Sequence, residues 1–265
     1  MMASPRESFD LAEDRSEAQY FLATERVPEV AAALSKQLPS CRYPALRPTI
    51  APSPTQQSVT TVYLDTPTRS LYREGLEGKK ELRLRVRRYS GSSDGLLWFE
   101  IKQKLGTRTA KRRLGIPPGE ALRFFGSGIS EELVNARRPA YLEDASEILE
   151  MISLICRRYQ SFFRADAVVT VQRLAWQDEQ RGIRVTLDRE LTFFSPGPDL
   201  WNPARGLARV HLGEPVGINL QCVLEVKSAA HPPKWVTDLL DSAGARDVAF
   251  SKFTEASRAV HGGRC

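Results

Sequence analysis

Between residues 79 and 89 the chain alternates with period two: Leu82, Leu84 and Val86 take one set of positions and Arg83, Arg85 and Arg87 the other. Successive side chains of a strand point to opposite faces, so this pattern predicts a strand with one apolar and one cationic side. The device recurs along the chain. Leu97, Phe99 and Ile101 alternate with Glu100, Lys102 and Lys104, and after a turn at Gly106 the segment 107–115 brings Lys111 and Arg113 together. These three segments predict an antiparallel meander. Farther on, Ile183, Val185 and Leu187 oppose Arg184, Thr186 and Asp188, and Cys222, Leu224 and Val226 oppose Glu225 and Lys227.

Other patterns fill the space between. Strands are predicted at 20–22, opened by Glu17 and Gln19, at the β-branched run 58–65, and at 167–176, which carries Arg173. Helical spacing predicts 29–38 after Pro28, a short turn over 69–75, a long helical region over 120–159 and a last helix over 233–243. Within 120–159 the stripe Ile148, Met151, Ile152 and Ile155 is the clearest amphipathic face. The proline-rich stretch 39–54 and the stretch 196–217 read as connections, and the basic segment Phe250-Ser251-Lys252-Phe253 closes the pattern.

Two architectures satisfy the alternation. An ordinary antiparallel sheet turns its apolar face to the core and its polar face to water. A closed barrel can instead hold the charges inside and cover its apolar exterior with helices. Two cations about 6 Å apart at an effective dielectric of about 20 repel by roughly 3 kcal/mol, so a row of arginines calls for an anionic answer. A lumen carrying Arg85, Arg87, Lys102, Lys111, Arg173, Arg184 and Lys252 calls for several phosphates. Strand logic leaves both open.

Composition narrows the class. Across 265 residues Lys and Arg exceed Asp and Glu by 38 to 32, a +6 balance that suits phosphate-rich partners without demanding them. Cys41, Cys156, Cys222 and Cys265 show no paired spacing, so neither a zinc knuckle nor a redox pair is indicated and a reducing cytoplasm is expected. No apolar run approaches the roughly 20 residues of a membrane span, and the acidic start carries no signal-peptide core. His211, His231 and His261 receive no chemical role.

Several strings together carry a resemblance. Thr61-Val62-Tyr63-Leu64-Asp65-Thr66-Pro67, Leu71-Tyr72-Arg73, Arg85-Val86-Arg87-Arg88-Tyr89, Phe99-Glu100-Ile101-Lys102-Gln103-Lys104 and Lys111-Arg112-Arg113 resemble, in this order, the catalytic domain of the vacuolar transporter chaperone (VTC) family. That family is one of the triphosphate tunnel metalloenzymes. The likeness continues through Arg173, the 182–188 and 223–227 strands and the 250–253 segment. It implies an α+β fold, an antiparallel β-barrel with a charged interior flanked by helices. It also implies a mobile tail over 1–16, one tunnel domain over 17–257 and a C-terminal tail over 258–265.

The activity so implied is an ATP-dependent polyphosphate polymerase. The same residues, Arg85, Arg87, Lys102, Lys111, Arg173, Arg184 and Lys252, match the family's phosphate-binding positions, and Lys104, Arg113 and Lys227 form a second rank on the same faces. Glu225 matches the family's metal-binding carboxylate for Mn²⁺ or Mg²⁺, with Glu100 a second candidate; a salt bridge from Glu225 to Lys227 is the competing reading. ATP and polyphosphate are the expected partners, with no nucleic acid, and any membrane or regulatory part is left to separate proteins. Gln19 stands where the family usually has lysine, bringing a hydrogen-bond donor without charge. A hydrolase of the same fold would carry E-x-E-x-K on the first strand, where this chain has Glu17-Ala18-Gln19-Tyr20-Phe21. A non-catalytic anion-binding module and a nucleic-acid binder are the remaining alternatives; the latter needs aromatics beside its cations, and Tyr89 is the obvious one in the central strand.

Overall fold

A computed structural model describes residues 8–11, 16–41, 56–78, 82–91, 95–105, 108–136, 146–229 and 231–262. The strands are β1 (Ser8–Leu11), β2 (Ser16–Leu22), β3 (Gln57–Asp65), β4 (Leu82–Tyr89), β5 (Leu97–Leu105), β6 (Arg108–Ile116), β7 (Arg164–Asp178), β8 (Ile183–Phe194), β9 (Gly217–Asn219), β10 (Cys222–Ser228) and β11 (Arg246–Asp247). The helices are α1 (Val27–Gln37), α2 (Ser70–Leu76), α3 (Ala121–Phe125), α4 (Glu131–Ala136), α5 (Ser146–Tyr159), α6 (Lys234–Ser242) and α7 (Lys252–His261).

All the strands join one antiparallel sheet in the order β1-β6-β5-β4-β3-β7-β8-β10-β2-β11, with β9 on β8. The ladder curls like a barrel without closing, and β1 and β11 stand at its ends. Its curvature shows in one contact: Lys102 of β5 and Glu17 of β2, on opposite halves of the ladder, approach to 3.7 Å.

The apolar positions of the alternating strands face outward, where helices cover them. Leu84, Val86, Phe99, Ile101, Leu114 and Ile116 share a core with Phe124 and Phe125 of α3 and Ile148, Ile152 and Ile155 of α5. Ile183, Val185, Leu187, Leu224 and Val226 share a second core with Val27, Val30 and Leu34 of α1 and Val236 and Leu240 of α6. At roughly 1.5–3 kcal/mol for each large side chain enclosed, this shell supplies the driving force for folding. The interior is left to the charges. Helix α7 sits at one end of that interior, its Phe253 ring packed on Tyr63 at 5.1 Å and its Lys252 on Asp188 at 3.0 Å.

Three expectations change. The region 120–159 is interrupted between α3 and α4, where Gly128 adopts φ +85° and a Cβ would meet Phe162 at 2.8 Å and the Phe163 carbonyl at 3.0 Å. Within the stretch read as a tail, Ser8–Leu11 pairs with β6 and Ser16 already belongs to β2; at the other end α7 runs past Ser257 to His261, which holds Asp166 at 2.9 Å. Lys252 lies on a helix, since Ser251 caps it by accepting a hydrogen bond from the Thr254 amide.

The corner between β3 and α2 is built on Asp65, which is fully buried. Its carboxylate accepts from the amides of Thr66 at 2.7 Å, Leu71 at 2.9 Å and Tyr72 at 2.9 Å. Burial pushes its pKa up to about 6 while those three donors pull the other way. Asp65→Ala leaves the three amides unpaired. The expected loss is about 3 kcal/mol or more, read as a Tm drop of roughly 6–12 °C in a thermal melt, and a shift below about 2 °C would show that water or neighbours replace the carboxylate.

Candidate functional site

Directly opposed residues of neighbouring strands share a face, so the ladder register assembles the lumen wall. Arg83, Arg85 and Arg87 oppose Lys102, Glu100 and Trp98 on β5, and Glu100 and Lys102 oppose Arg113 and Lys111 on β6. On the other side of β4, Arg85 and Arg87 oppose Tyr63 and Thr61. The far wall carries Arg173 opposite Asp188, Glu225 opposite Thr186 and Gln19, and Lys227 opposite Arg184 and Glu17. Lys252 enters from the first turn of α7.

Buried carboxylates organise these cations into groups. Glu100, fully enclosed, receives Arg85 Nε at 2.7 Å and Lys111 Nζ at 2.9 Å, with Arg87 Nη1 at 3.8 Å. Asp188, 1 % exposed, accepts both Nε and Nη2 of Arg173, at 2.6 and 2.7 Å, and Lys252 Nζ at 3.0 Å. Lys227 Nζ bridges Glu17 at 3.1 Å and Glu225 at 3.3 Å. Gln19 donates to Glu225 Oε2 at 3.2 Å and accepts from the Phe250 amide at 3.2 Å, joining β2, β10 and the approach to α7. A lysine could make the first bond but could not accept the second.

The electrostatics follow from this enclosure. Burial alone would push the Glu100 carboxyl up; Arg85, Lys111 and Arg87 overcome it and hold the group well below the usual carboxylate range. Asp188 behaves alike, with Arg173 and Lys252 outweighing burial. Glu225 is also held well below its ordinary value against burial, chiefly by Lys227 and then Lys252, Arg173 and Lys102. Burial depresses the ammonium groups of Lys102 and Lys111, although Glu17 and Glu100 oppose it. Lys227 is raised, first by Glu225. The lumen is charged on both sides of neutrality, and the named cations outnumber the named acids.

Arg85, Arg87, Lys102, Lys111 and Arg173 share the lumen face with Lys227, and Lys252 reaches it from α7. Arg113 shares the face and lies over the Trp98 ring at 4.7 Å. Arg184 shares it one register step beyond Thr186, toward the end of β8. The Lys104 side chain lies outside the described residues. The salt bridge weighed against a metal role for Glu225 is present, to Lys227. Glu100, the other metal candidate, is instead the centre of an ion-pair cluster with no open side.

Asp188 and Glu17 emerge from the structure as site residues that the strand pattern had not singled out. Their signal was the shared face with Arg184 and with Gln19. Among the described residues no group of three or more His, Cys, Asp or Glu side chains gathers to hold a metal. Glu17 and Glu225, drawn to one Lys227 ammonium, fit a hard divalent ion that completes its shell with phosphate oxygens. A separate cavity of about 200 Å³, lined by Arg88, Leu97, Trp201 and Leu207, lies beside the end of β4 and shares none of these ion pairs.

Comparison with known proteins adds the family. No curated protein matches the chain. Among solved structures, the Hippeastrum protein HpAC1, described as having a dominant triphosphatase activity, aligns at 13 % identity and a TM-score of 0.49, covering 94 % of this chain and 96 % of its own. The Bacillus halodurans protein bh2851 aligns at 13 % identity and 0.46, covering 92 % and 95 %, and the Pyrococcus horikoshii protein PH1012 at 12 % and 0.39, covering 87 % and 90 %. The family model for the VTC domain matches residues 14–261. That span takes in every lumen residue named above, from Glu17 on β2 to Lys252 on α7, and the chain belongs to the VTC domain family.

Proposed function

We propose that this protein is a polyphosphate polymerase, transferring the terminal phosphoryl group of ATP to a phosphate chain held in the lumen. The observation that carries the reading is the spread of cations along the wall. Arg83 to Arg87 alone spans four residue steps of β4, about 13 Å at a strand's rise, and Arg173 and Lys252 extend the row toward α7. A single phosphate needs a cup. A linear polyanion needs a row.

Phosphoryl transfer asks the protein mainly for in-line positioning and for neutralisation of charge on the phosphate oxygens. Arg85 and Arg87 supply guanidinium forks and Lys102, Lys111, Arg173 and Lys252 further donors, in a water-poor space where such bonds are strong. Glu100 and Asp188 fix these donors before any ligand arrives, so little reorganisation accompanies binding. Glu17 and Glu225 would hold Mn²⁺ or Mg²⁺, which when bound adds charge neutralisation at the phosphate oxygens. Gln19 keeps Glu225 oriented through its second contact to Phe250. The first strand lacks the second Glu and the Lys of the hydrolase signature, which favours transfer to phosphate over transfer to water.

The direct test is incubation of the protein with ATP, Mn²⁺ and a short phosphate primer, with polyphosphate read on a gel and ADP by enzymatic assay. Chain growth with matching ADP is the expected result. Primer-dependent thermal stabilisation without growth would instead make the lumen a binding module. Arg87→Ala should lower ATP turnover about 10³-fold or more, and its ligand-free Tm should stay level or rise, because Glu100 keeps Arg85 and Lys111 when Arg87 leaves. A collapsed fold would make Arg87 structural. Glu225→Gln should remove metal-dependent turnover; full Mn²⁺-supported activity in that variant excludes Glu225 as a ligand.

A further inference from the structure

Tyr63 faces the same lumen and takes no part in the ion-pair groups described above. Its strand position opposes Arg85 on β4, and on its other side it opposes Ala167 of β7, which carries no charge. The ring is wedged by Phe253 of α7 at 5.1 Å, with Tyr72 of α2 against the same phenylalanine at 6.4 Å. The side chain is 2 % exposed, so its direction is fixed by packing.

A buried tyrosine hydroxyl ordinarily finds a hydrogen-bond partner. Among the described residues the Tyr63 hydroxyl proton meets no acceptor, and the charged groups acting on it offer none. They are Arg83, Arg85 and Arg87 from β4 and Lys252 from α7. Guanidinium and ammonium groups have protons to donate and nothing with which to accept one. The carboxylates that hold these cations are already committed, Glu100 to Arg85 and Lys111 and Asp188 to Arg173 and Lys252. The phenol therefore has a proton and no acceptor, in a space built for anions. Burial would push its ionisation up, yet the four cations win and lower it below that of an ordinary phenol.

We infer that the Tyr63 hydroxyl is a substrate-binding group, donating a hydrogen bond to a phosphate oxygen of the lumen's occupant beside Arg85 and Lys252. The inference rests on the phosphate-chain reading of the lumen. The occupant supplies the one thing the wall lacks at this point, an acceptor. Its class is a linear oligophosphate, free or at the end of a nucleotide.

Inorganic tripolyphosphate is the probe, and calorimetric titration of the whole chain is the measurement. Tyr63→Phe removes the hydroxyl and keeps the ring on Phe253. Its affinity for tripolyphosphate should be about 10- to 100-fold weaker, with the ligand-free Tm unchanged. Wild-type protein should also show an early phenolate band, below the pH at which an ordinary phenol ionises, that is missing in Tyr63→Phe while the other six tyrosines still titrate. Tripolyphosphate should move that band to higher pH, because the donated proton is held by the ligand and its negative charge opposes ionisation. Equal affinity of the two proteins, or a wild-type phenolate band indifferent to tripolyphosphate, overturns the role of Tyr63 and leaves the lumen reading standing. Failure of wild-type protein to bind tripolyphosphate overturns both. Should Tyr63→Phe not fold, the shift of the wild-type band decides alone.

Discussion

The structure depends on how a protein keeps a row of cations out of bulk water without flying apart. Repulsion between neighbouring guanidinium groups, about 3 kcal/mol per pair at lumen spacing, exceeds what any one surface contact returns. Glu100 and Asp188 solve this by sitting between the cations, each enclosed and each shared by side chains from more than one element. Breaking such a buried pair typically costs 3–5 kcal/mol, so these acids tie β4, β5 and β6 to one another and β7 and β8 to α7. They also leave the balance positive. The lumen is held together by its own acids and keeps an excess of positive charge.

That arrangement separates two jobs which look alike in a list of charged residues. Acids held between cations set the geometry of the wall, whereas Glu17 and Glu225 share Lys227, and Glu17 also faces Lys102 at 3.7 Å. Gln19 belongs to the second group. By bonding both Glu225 and the backbone before α7, it fixes the carboxylate through geometry in place of charge.

Much of this was legible in the chain. The alternation at 82–87 identifies β4 with its faces because every second residue is arginine and every other one is aliphatic, leaving no register ambiguity. In β5, β8 and β10 apolar residues alternate with mixed polar ones in the same sense. Asp188 was harder: it sits in a legible strand, but its partner Lys252 comes from a helix much later in the chain, and the segment 250–253 is too short to show any period. Apolar spacing persists through the helical region 120–159, while the break between α3 and α4 turns on the backbone of Gly128, which hydropathy does not report. The orphaned hydroxyl of Tyr63 has no sequence signature at all, since it arises from what four distant cations are unable to accept.

A domain with its charges inside and its oil outside is arranged inside out relative to an ordinary globule. Its hydrophobic layer is a jacket, one helix thick, wrapped around the sheet. Such a jacket has no redundancy: stripping α1 or α5 would bare the back of the strands to water, however far those helices lie from any phosphate. Trimming the protein to its chemically active strands would therefore remove the very layer that lets a charged channel exist in a folded chain.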